Sequence, residues 1–389
     1  MAQSEQIKEI TDKLEKGLKA LIQSDNYRDY LNTMSKFHNY SFNNSLLIAM
    51  QRPDATYVAG YQSWQKNFGR QVEKGEKAIK IIAPSPYKKI EETPILDKNG
   101  NQMLGLDGKP MTEKVEHIMP GFRVTSVFDV SQTSGAELPD ICKQLDGSVI
   151  GYQDLQEALS RYSPAPINFD EISSGANGFY SSESKSITVK EGMSEAQTLK
   201  TSVHEVAHSI LHDRDNGTIL NADSRTKEVQ AESVAYTVCQ HYGLDTSDYS
   251  FGYVAGWSSD KDMKELKASM ETIQSAARDM INGIDKHLAD IRLEHIDEIA
   301  YKLSDGHLEL HKTDSGYDFT IYDKEYHLVD GGQLDDTSLR IDVAAEESLK
   351  LVDCTSTILG ETVLNQLQEN VMAADSINQD LSFDNGISH

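Results

Sequence analysis

The sequence predicts an α+β protein of more than one domain. Three observations lead there. The chain of 389 residues is longer than a single ordinary hydrophobic core uses. Helical periodicity alternates with short β-like runs and hairpin signals, and the charge balance changes sign along the chain.

Residues 4 to 35 carry Ile7, Ile10, Leu14, Leu18, Leu21 and Ile22 near a 3.6-residue period, which predicts one or two amphipathic helices. Residues 37 to 84 read as helix, loop, helix and strand, with "EKGEK" as a turn around a conformationally permissive glycine. Residues 91 to 120 hold the turn signals "KNGN" and "DGKP" and read as a long hairpin insertion. The alternating stretch 121 to 133 predicts a strand closing this region, and "SGAELP" a linker. A helix at 152 to 162, a strand at 166 to 170 and a hairpin at 175 to 189 follow. Then come a helix holding "HEVAH", a second at about 224 to 242 ending at Gly243, and a long helical stretch from 260 to 300. Residues 307 to 331 alternate around an "SG" turn and predict a small β unit, and the polar segment beyond 365 reads as disordered.

Composition narrows the function. A hydrophobic content of 38% with 25% charge is that of a protein that dissolves, and no apolar run approaches a membrane span. The first twenty residues have no apolar signal core and read as cytoplasmic. Cys142, Cys239 and Cys354 lie too far apart in sequence to form a disulfide framework or a cysteine zinc site. The net charge of −25 argues against binding phosphate, but residues 1 to 90 hold 14 Lys and Arg against 9 Asp and Glu, so a basic module precedes an acidic one.

The motif that carries chemistry is "HEVAH", residues 204 to 208. On a helix, positions i and i+4 share a face, so His204 and His208 can hold one zinc ion while Glu205 polarises water beside it. Ser194 and Gln197 suit a capping box, and Leu199, Val203, Val206 and Ile210 form the stripe that would anchor the helix. A catalytic zinc site needs a third protein ligand and leaves the fourth position open. Leu211 and Arg214 stand where a metzincin has glycine and a third histidine, which excludes that version. "KEVQAESVAY" offers Glu228 and Glu232, one turn apart; the economical assignment makes Glu228 the ligand and Glu232 the carboxylate orienting a histidine, with exchanged roles left open. His212 continues the series but rotates away, so it reads as supporting a ligand from behind or as exposed; His241 reads as a helix-end residue, and Tyr236 and Tyr253 are packing residues or oxyanion donors. The chemistry would be zinc-assisted hydrolysis with Glu205 as base. The strand "SKSITV" (184 to 189) suits an edge strand that pairs with a peptide substrate.

From about residue 36 to 290 the chain resembles the ArdC family of antirestriction proteins and its LtrC-like relatives. The resemblance lies in "YSFNNSLLIAMQ", "GYQSWQKNFGRQVEKGEKAIKI", "FRVTSVFDVSQT", "HEVAH", "KEVQAESVAY" and "YVAGWSSD". The ImmA/IrrE metallopeptidases share the metal motif but lack the N-terminal module. The resemblance implies a single-stranded-DNA-binding α+β domain at 1 to 133 and a zincin-like metallopeptidase domain at 148 to 300. A small β-containing unit at 301 to 364 and a tail at 365 to 389 would follow. It implies a mobile-element protein acting in DNA transfer or protection from restriction. Single-strand binders combine cations with aromatic faces, which points to Trp64, Lys66, Arg70, Lys74, Lys77 and Lys80 as DNA contacts. Two other readings stand beside it: a regulatory zinc endopeptidase that cuts a repressor, and a zincin-like DNA-binding protein whose zinc is structural.

Overall fold

The computed structural model describes residues 2–21, 24–95, 102–103, 111–136, 151–173, 175–215, 223–244, 246, 251, 257–258 and 261–362. Helix and sheet are both abundant and mostly segregated along the chain, an α+β architecture divided into two compact units, Met1–Ile284 and Asp285–His389.

The first unit begins with the amphipathic helices α1 (Ala2–Ala20) and α2 (Ser24–Lys36), followed by α3 (Phe42–Gln51). Strand β1 (Val58–Gly60) leads into α4 (Tyr61–Asn67) and β2 (Arg70–Val72), and the Gly75 turn (φ 96°) opens β3 (Ile79–Pro84). Strands β4 (Tyr87–Pro94) and β5 (Thr112–Met119) form a two-stranded ribbon, and β6 (Phe122–Asp129) returns between β1 and β3 in an antiparallel sheet of order β1-β6-β3. The supposed linker starts inside β7 (Thr133–Gly135), which pairs with β2; its end lies outside the described residues, as do Cys142, Tyr253 and the tail beyond 362.

Two side chains of α3 protect the outer edge of β3. Asn44 donates Nδ2–H to the Ile82 carbonyl and accepts the Ile82 N–H, both at 2.9 Å; Gln51 makes the same pair of bonds with Lys80, also at 2.9 Å. The two amides replace a missing strand on an edge that would otherwise invite pairing with another chain.

Trp64 corrects the sequence reading of the DNA contacts. It has 0% exposure, its indole N–H donates to the Phe128 carbonyl at 2.9 Å, and its ring packs against Tyr57 and Phe68. The aromatic spacing reflects a helix face turned into the core, and no base can stack there. Arg70 is likewise committed: its guanidinium donates to the Thr133 hydroxyl and carbonyl and to the Ala136 carbonyl, riveting β2 to β7. Lys66, Lys74, Lys77 and Lys80 are exposed, with Lys80 bonded to the Ser126 hydroxyl.

The unit continues through α5 (Tyr152–Tyr162) and a three-stranded sheet of order β8-β10-β9, built from β8 (Ile167–Asp170), β9 (Gly178–Ser181) and β10 (Ser186–Lys190). Helices α6 (Glu195–Leu211), α7 (Ser224–His241) and α8 (Met263–His295) follow. Packing does not break at residue 133. Tyr27 of α2 meets the Ser233 hydroxyl of α7 at 2.7 Å, Tyr30 donates to Gln274 of α8 at 3.0 Å, and Gln274 donates to the carbonyls of His38 and Tyr40. Tyr236 donates to Asn32 and His241 lies 2.9 Å from the Ser35 carbonyl, so both are packing residues.

In the second unit an antiparallel sheet of order β14-β13-β12-β11-β15 carries α9 (Ile341–Leu351) on one face. Its strands are β11 (Glu298–Leu303), β12 (Gly306–Thr313), β13 (Gly316–Asp323), β14 (Leu328–Leu334) and β15 (Ile358–Thr362). Its core joins Ile299, Leu308, Leu310, Phe319 and Ile321 to Ile341 and Ala345. None of the described helices is long and apolar enough to cross a membrane.

Because Trp64 is wholly enclosed, Trp64→Ala is expected to cost about 3–5 kcal/mol of stability through lost packing and a cavity, read as a lowered midpoint in urea unfolding. A midpoint unchanged from wild type would return Trp64 to the surface.

Candidate metal centre

Helix α6 starts at Ser194, whose hydroxyl accepts the Gln197 N–H at 3.3 Å. Only this half of the capping box is made, since the Gln197 amide turns to the Thr201 hydroxyl. Leu199, Val203 and Val206 are 2%, 3% and 0% exposed, so they pin one face of α6 in the core and leave His204 and His208 on the side facing α7. Helix α7 starts at Asp223, which caps the Thr226 N–H, and carries Glu228, Gln230 and Glu232 toward that side.

His204 Nε2 and His208 Nε2 lie 3.1 Å apart; Glu228 Oε1 is 3.5 Å from His208 Nε2 and Glu228 Oε2 is 3.7 Å from His204 Nε2. Donors at about 2.05 Å from a tetrahedral zinc stand about 3.3 Å from one another, so the three groups already form one face of such a polyhedron. Among the described residues they are the one His, Cys, Asp and Glu group gathered this closely.

Hydrogen bonds decide which ring nitrogens face the site. Gln230 donates its Nε2–H to the Ser269 hydroxyl at 2.8 Å, which leaves Oε1 to accept from His212 Nε2–H at 3.0 Å. His212 Nδ1 is then an acceptor and takes the Nδ1–H of His208 at 2.9 Å, so the lone pair of His208 sits on Nε2, toward the cluster. Glu232 Oε2, 3.4 Å from His204 Nδ1, orients the other imidazole in the same sense. Sequence reasoning left His212 between a supporting place behind the ligands and an exposed one, and missed Gln230 and Ser269. The i+4 step from His208 and the position of Gln230 between the two glutamates were the available signals.

The electrostatics follow from these contacts. Burial opposes the charged form of His204, but Glu228 and Glu232 outweigh it and push its pKa up to about 9. The His204 and His208 imidazoles beside it hold the Glu228 carboxyl well below the usual carboxylate range. Burial pushes His212 down to about 4, which keeps it neutral in the relay. Glu205, 7% exposed, is raised by burial despite the nearby histidines and the Tyr180 N–H it accepts.

Two recesses meet at His204, Glu205 and Gly178. One of about 330 Å³ is lined by Gln197, Lys200, Thr201 and Glu232, the other of about 460 Å³ by Tyr180, His208, His212 and Glu228. A Cβ at Gly178 would lie 2.6 Å from the Thr201 methyl and 3.2 Å from Glu205 Cγ, so glycine is what lets β9 approach α6. The expected edge strand is corrected here. β10 is central, paired with β8 in parallel and β9 in antiparallel fashion, so its ladder groups are used; the edge beside the site is β9.

Comparison with known proteins gives the frame for this geometry. Residues 2–128 match the model of the N-terminal domain of anti-restriction factor ArdC, and residues 294–374 match large polyvalent protein-associated domain 16. An uncharacterized protein of Bacillus anthracis, pXO2-81, is 28% identical over 323 residues, which are 75% of this chain and 53% of the relative; the chain spans about half the length of that protein. Two crystal structures of the antirestriction ArdC protein from the R388 plasmid are also similar. The metal-free one has 22% identity and a TM-score of 0.39 over 64% of this chain and 86% of its own. The Mn(II)-bound one has 19% identity and a TM-score of 0.41 over 73% and 96%. Residues 2–128 are therefore similar to the N-terminal domain of anti-restriction factor ArdC.

Proposed function

We propose that the chain is an antirestriction-type protein of a mobile element, acting in the cytoplasm. In this reading residues 1–133 bind single-stranded DNA and residues 148–300 carry a hydrolytic metal centre, with zinc the ion and a peptide the substrate. The observation that carries the catalytic half is the convergence of His204 Nε2, His208 Nε2 and a Glu228 oxygen within 4.8 Å of one another, beside the buried Glu205. Two imidazoles and one carboxylate with an open side suit a borderline divalent ion in a catalytic rather than a closed structural site.

When bound, such an ion supplies Lewis acidity, which activates water and polarises a carbonyl. The chain's own residues do the rest. Glu232 and the His212–Gln230–Ser269 relay hold the two imidazoles with their lone pairs inward. Glu205, raised by burial toward the working pH, takes the proton of the attacking water and returns it to the leaving nitrogen. The outer edge of β9 offers backbone donors and acceptors to an extended peptide. For the DNA half the support is the basic balance of residues 1–90 and the exposed Lys66, Lys74, Lys77 and Lys80.

Metal analysis of the purified chain tests the centre: about one zinc per chain in wild type, lost in His204→Ala and Glu228→Ala and retained in Glu205→Gln. Retention of a full equivalent by both ligand variants would refute the assignment. Glu205→Gln should also abolish peptide cleavage, since removing a general base typically costs about 10²- to 10⁴-fold.

The raised pKa of His204 sets a pH dependence. In the metal-free chain, the stability from its cation beside Glu228 and Glu232 is fully present below the ordinary histidine value and is lost as pH rises through about 9. Metal entry at neutral pH must therefore expel that proton. Calorimetry in two buffers of different ionisation heat should give about one proton released per ion near pH 7.5, fading above pH 9. No proton release at neutral pH would show that His204 is already neutral.

A further inference from the structure

Strands β3 and β4, with β5 and β6, form one continuous antiparallel ribbon. Ile79 faces Val127, Pro84 faces Phe122, Ser85 N–H donates to the Gly121 carbonyl at 2.7 Å, Tyr87 faces Met119 and Pro94 faces Thr112. The register does not slip across the two strand joints. The half nearer the sheet is paired by β1 and anchored by Ile79, Ile81 and Val127, whereas the outer half, β4 with β5, is a two-stranded sheet. Two strands alone are marginally stable in water.

Residue parity sorts its side chains. In an antiparallel pair, directly opposed residues share a face. Arg123, Tyr87, Lys89 and His117 therefore lie on one face at the root of the arm, with Lys89 directly opposite His117. Tyr87 is 55% exposed, and Arg123 is exposed. Gly121 falls between Met119 and Arg123 on this same face, and a Cβ there would meet the Tyr87 ring at 3.1 Å, so the ring lies over the glycine and leans toward Arg123. The missing side chain leaves room for the Tyr87 ring over the backbone of the ribbon. Acids begin only farther out, with Glu91, which is paired to Lys89, and Glu113. The opposite face holds the same kind of ion pair, Lys88 with Glu116, but its exposed side chains are apolar, Ile90 at 58%, Ile118 at 75% and Phe122 at 58%.

We propose that the root of the ribbon, with Tyr87 as stacking platform and Arg123, Lys89 and His117 around it, is the surface on which this chain takes single-stranded DNA. The inference rests on the DNA-binding reading above and moves its aromatic contact from the buried Trp64 to Tyr87. A single strand fits because its bases stack on an exposed ring while its phosphates meet cations. A protein partner would use the apolar opposite face instead.

The test is fluorescence anisotropy of a labelled oligothymidylate with the full chain at low salt. Tyr87→Ala is expected to weaken binding about tenfold or more, and Arg123→Ala to lower the slope of log affinity against log salt by about 0.7. Tyr87→Trp should keep the affinity, and its added indole fluorescence should be quenched by the oligonucleotide, a readout that survives even if the alanine variant folds poorly. Wild-type binding left within twofold by Tyr87→Ala, with no quenching in Tyr87→Trp, overturns this surface while the DNA-binding reading stands. No salt-sensitive binding by wild type overturns both. Weakening by Ile118→Ser but not by Tyr87→Ala places the contact on the other face and overturns the proposal.

Discussion

The tautomer of His208 is the constraint on which the centre depends. An imidazole offers a lone pair to a cation only if its other nitrogen keeps the proton, and in water the choice between nitrogens is nearly free. Here it is forced. Ser269 accepts from Gln230, Gln230 then accepts from His212, and His212 accepts from His208. The relay works only while His212 is neutral, and its burial secures that. Three helices contribute to it, since His208 and His212 lie at the end of α6, Gln230 on α7 and Ser269 on α8. A small rotation of any one would leave a buried polar group unpaired, at a cost of roughly 1–3 kcal/mol.

The same packing separates the two glutamates of α7. They are one turn apart and chemically identical, yet Glu228 faces the Nε2 atoms of both histidines and Glu232 faces Nδ1 of His204. Glu228 is held far below the usual carboxylate range by the imidazoles beside it. Glu205 moves the other way because α6 turns it toward β9, where Gly178 permits close approach and burial dominates.

What was legible in the sequence is what is local. The i, i+4 spacing of His204 and His208 needs only helix geometry, and the helices from α1 to α8 follow from apolar periodicity and caps. Long-range partners were not legible. Gln230 and Ser269 are 39 residues apart, and nothing in their neighbourhoods announces the bond. The place of β10 at the centre of its sheet depends on β8 arriving in parallel, which alternation within "SKSITV" cannot reveal. Trp64 misled because a helix face that packs aromatics into a core has the same spacing as one that displays them. Asn44 and Gln51 lie in the stretch that carried the ArdC resemblance, but their task, capping the edge of β3, became visible only with the strand beside them.

Helix α7 is the wall shared by both proposed functions of the first unit. One side of it presents Glu228 and Glu232 to α6; Ser233, the next residue, is bonded to Tyr27 of α2, and Tyr236 to Asn32 of the same helix. Ser233 is 0% and Tyr27 1% exposed, so this is core and not a sliding surface. Tyr30 extends the contact to Gln274 of α8, which in turn donates to the backbone just ahead of α3. The helix that fixes the edge of the basic module's sheet is thus held by the helix that follows the candidate metal ligands. Helix α6 packs on one side of α7 and α2 on the other, so the two modules are joined by buried hydrogen bonds rather than by a flexible joint.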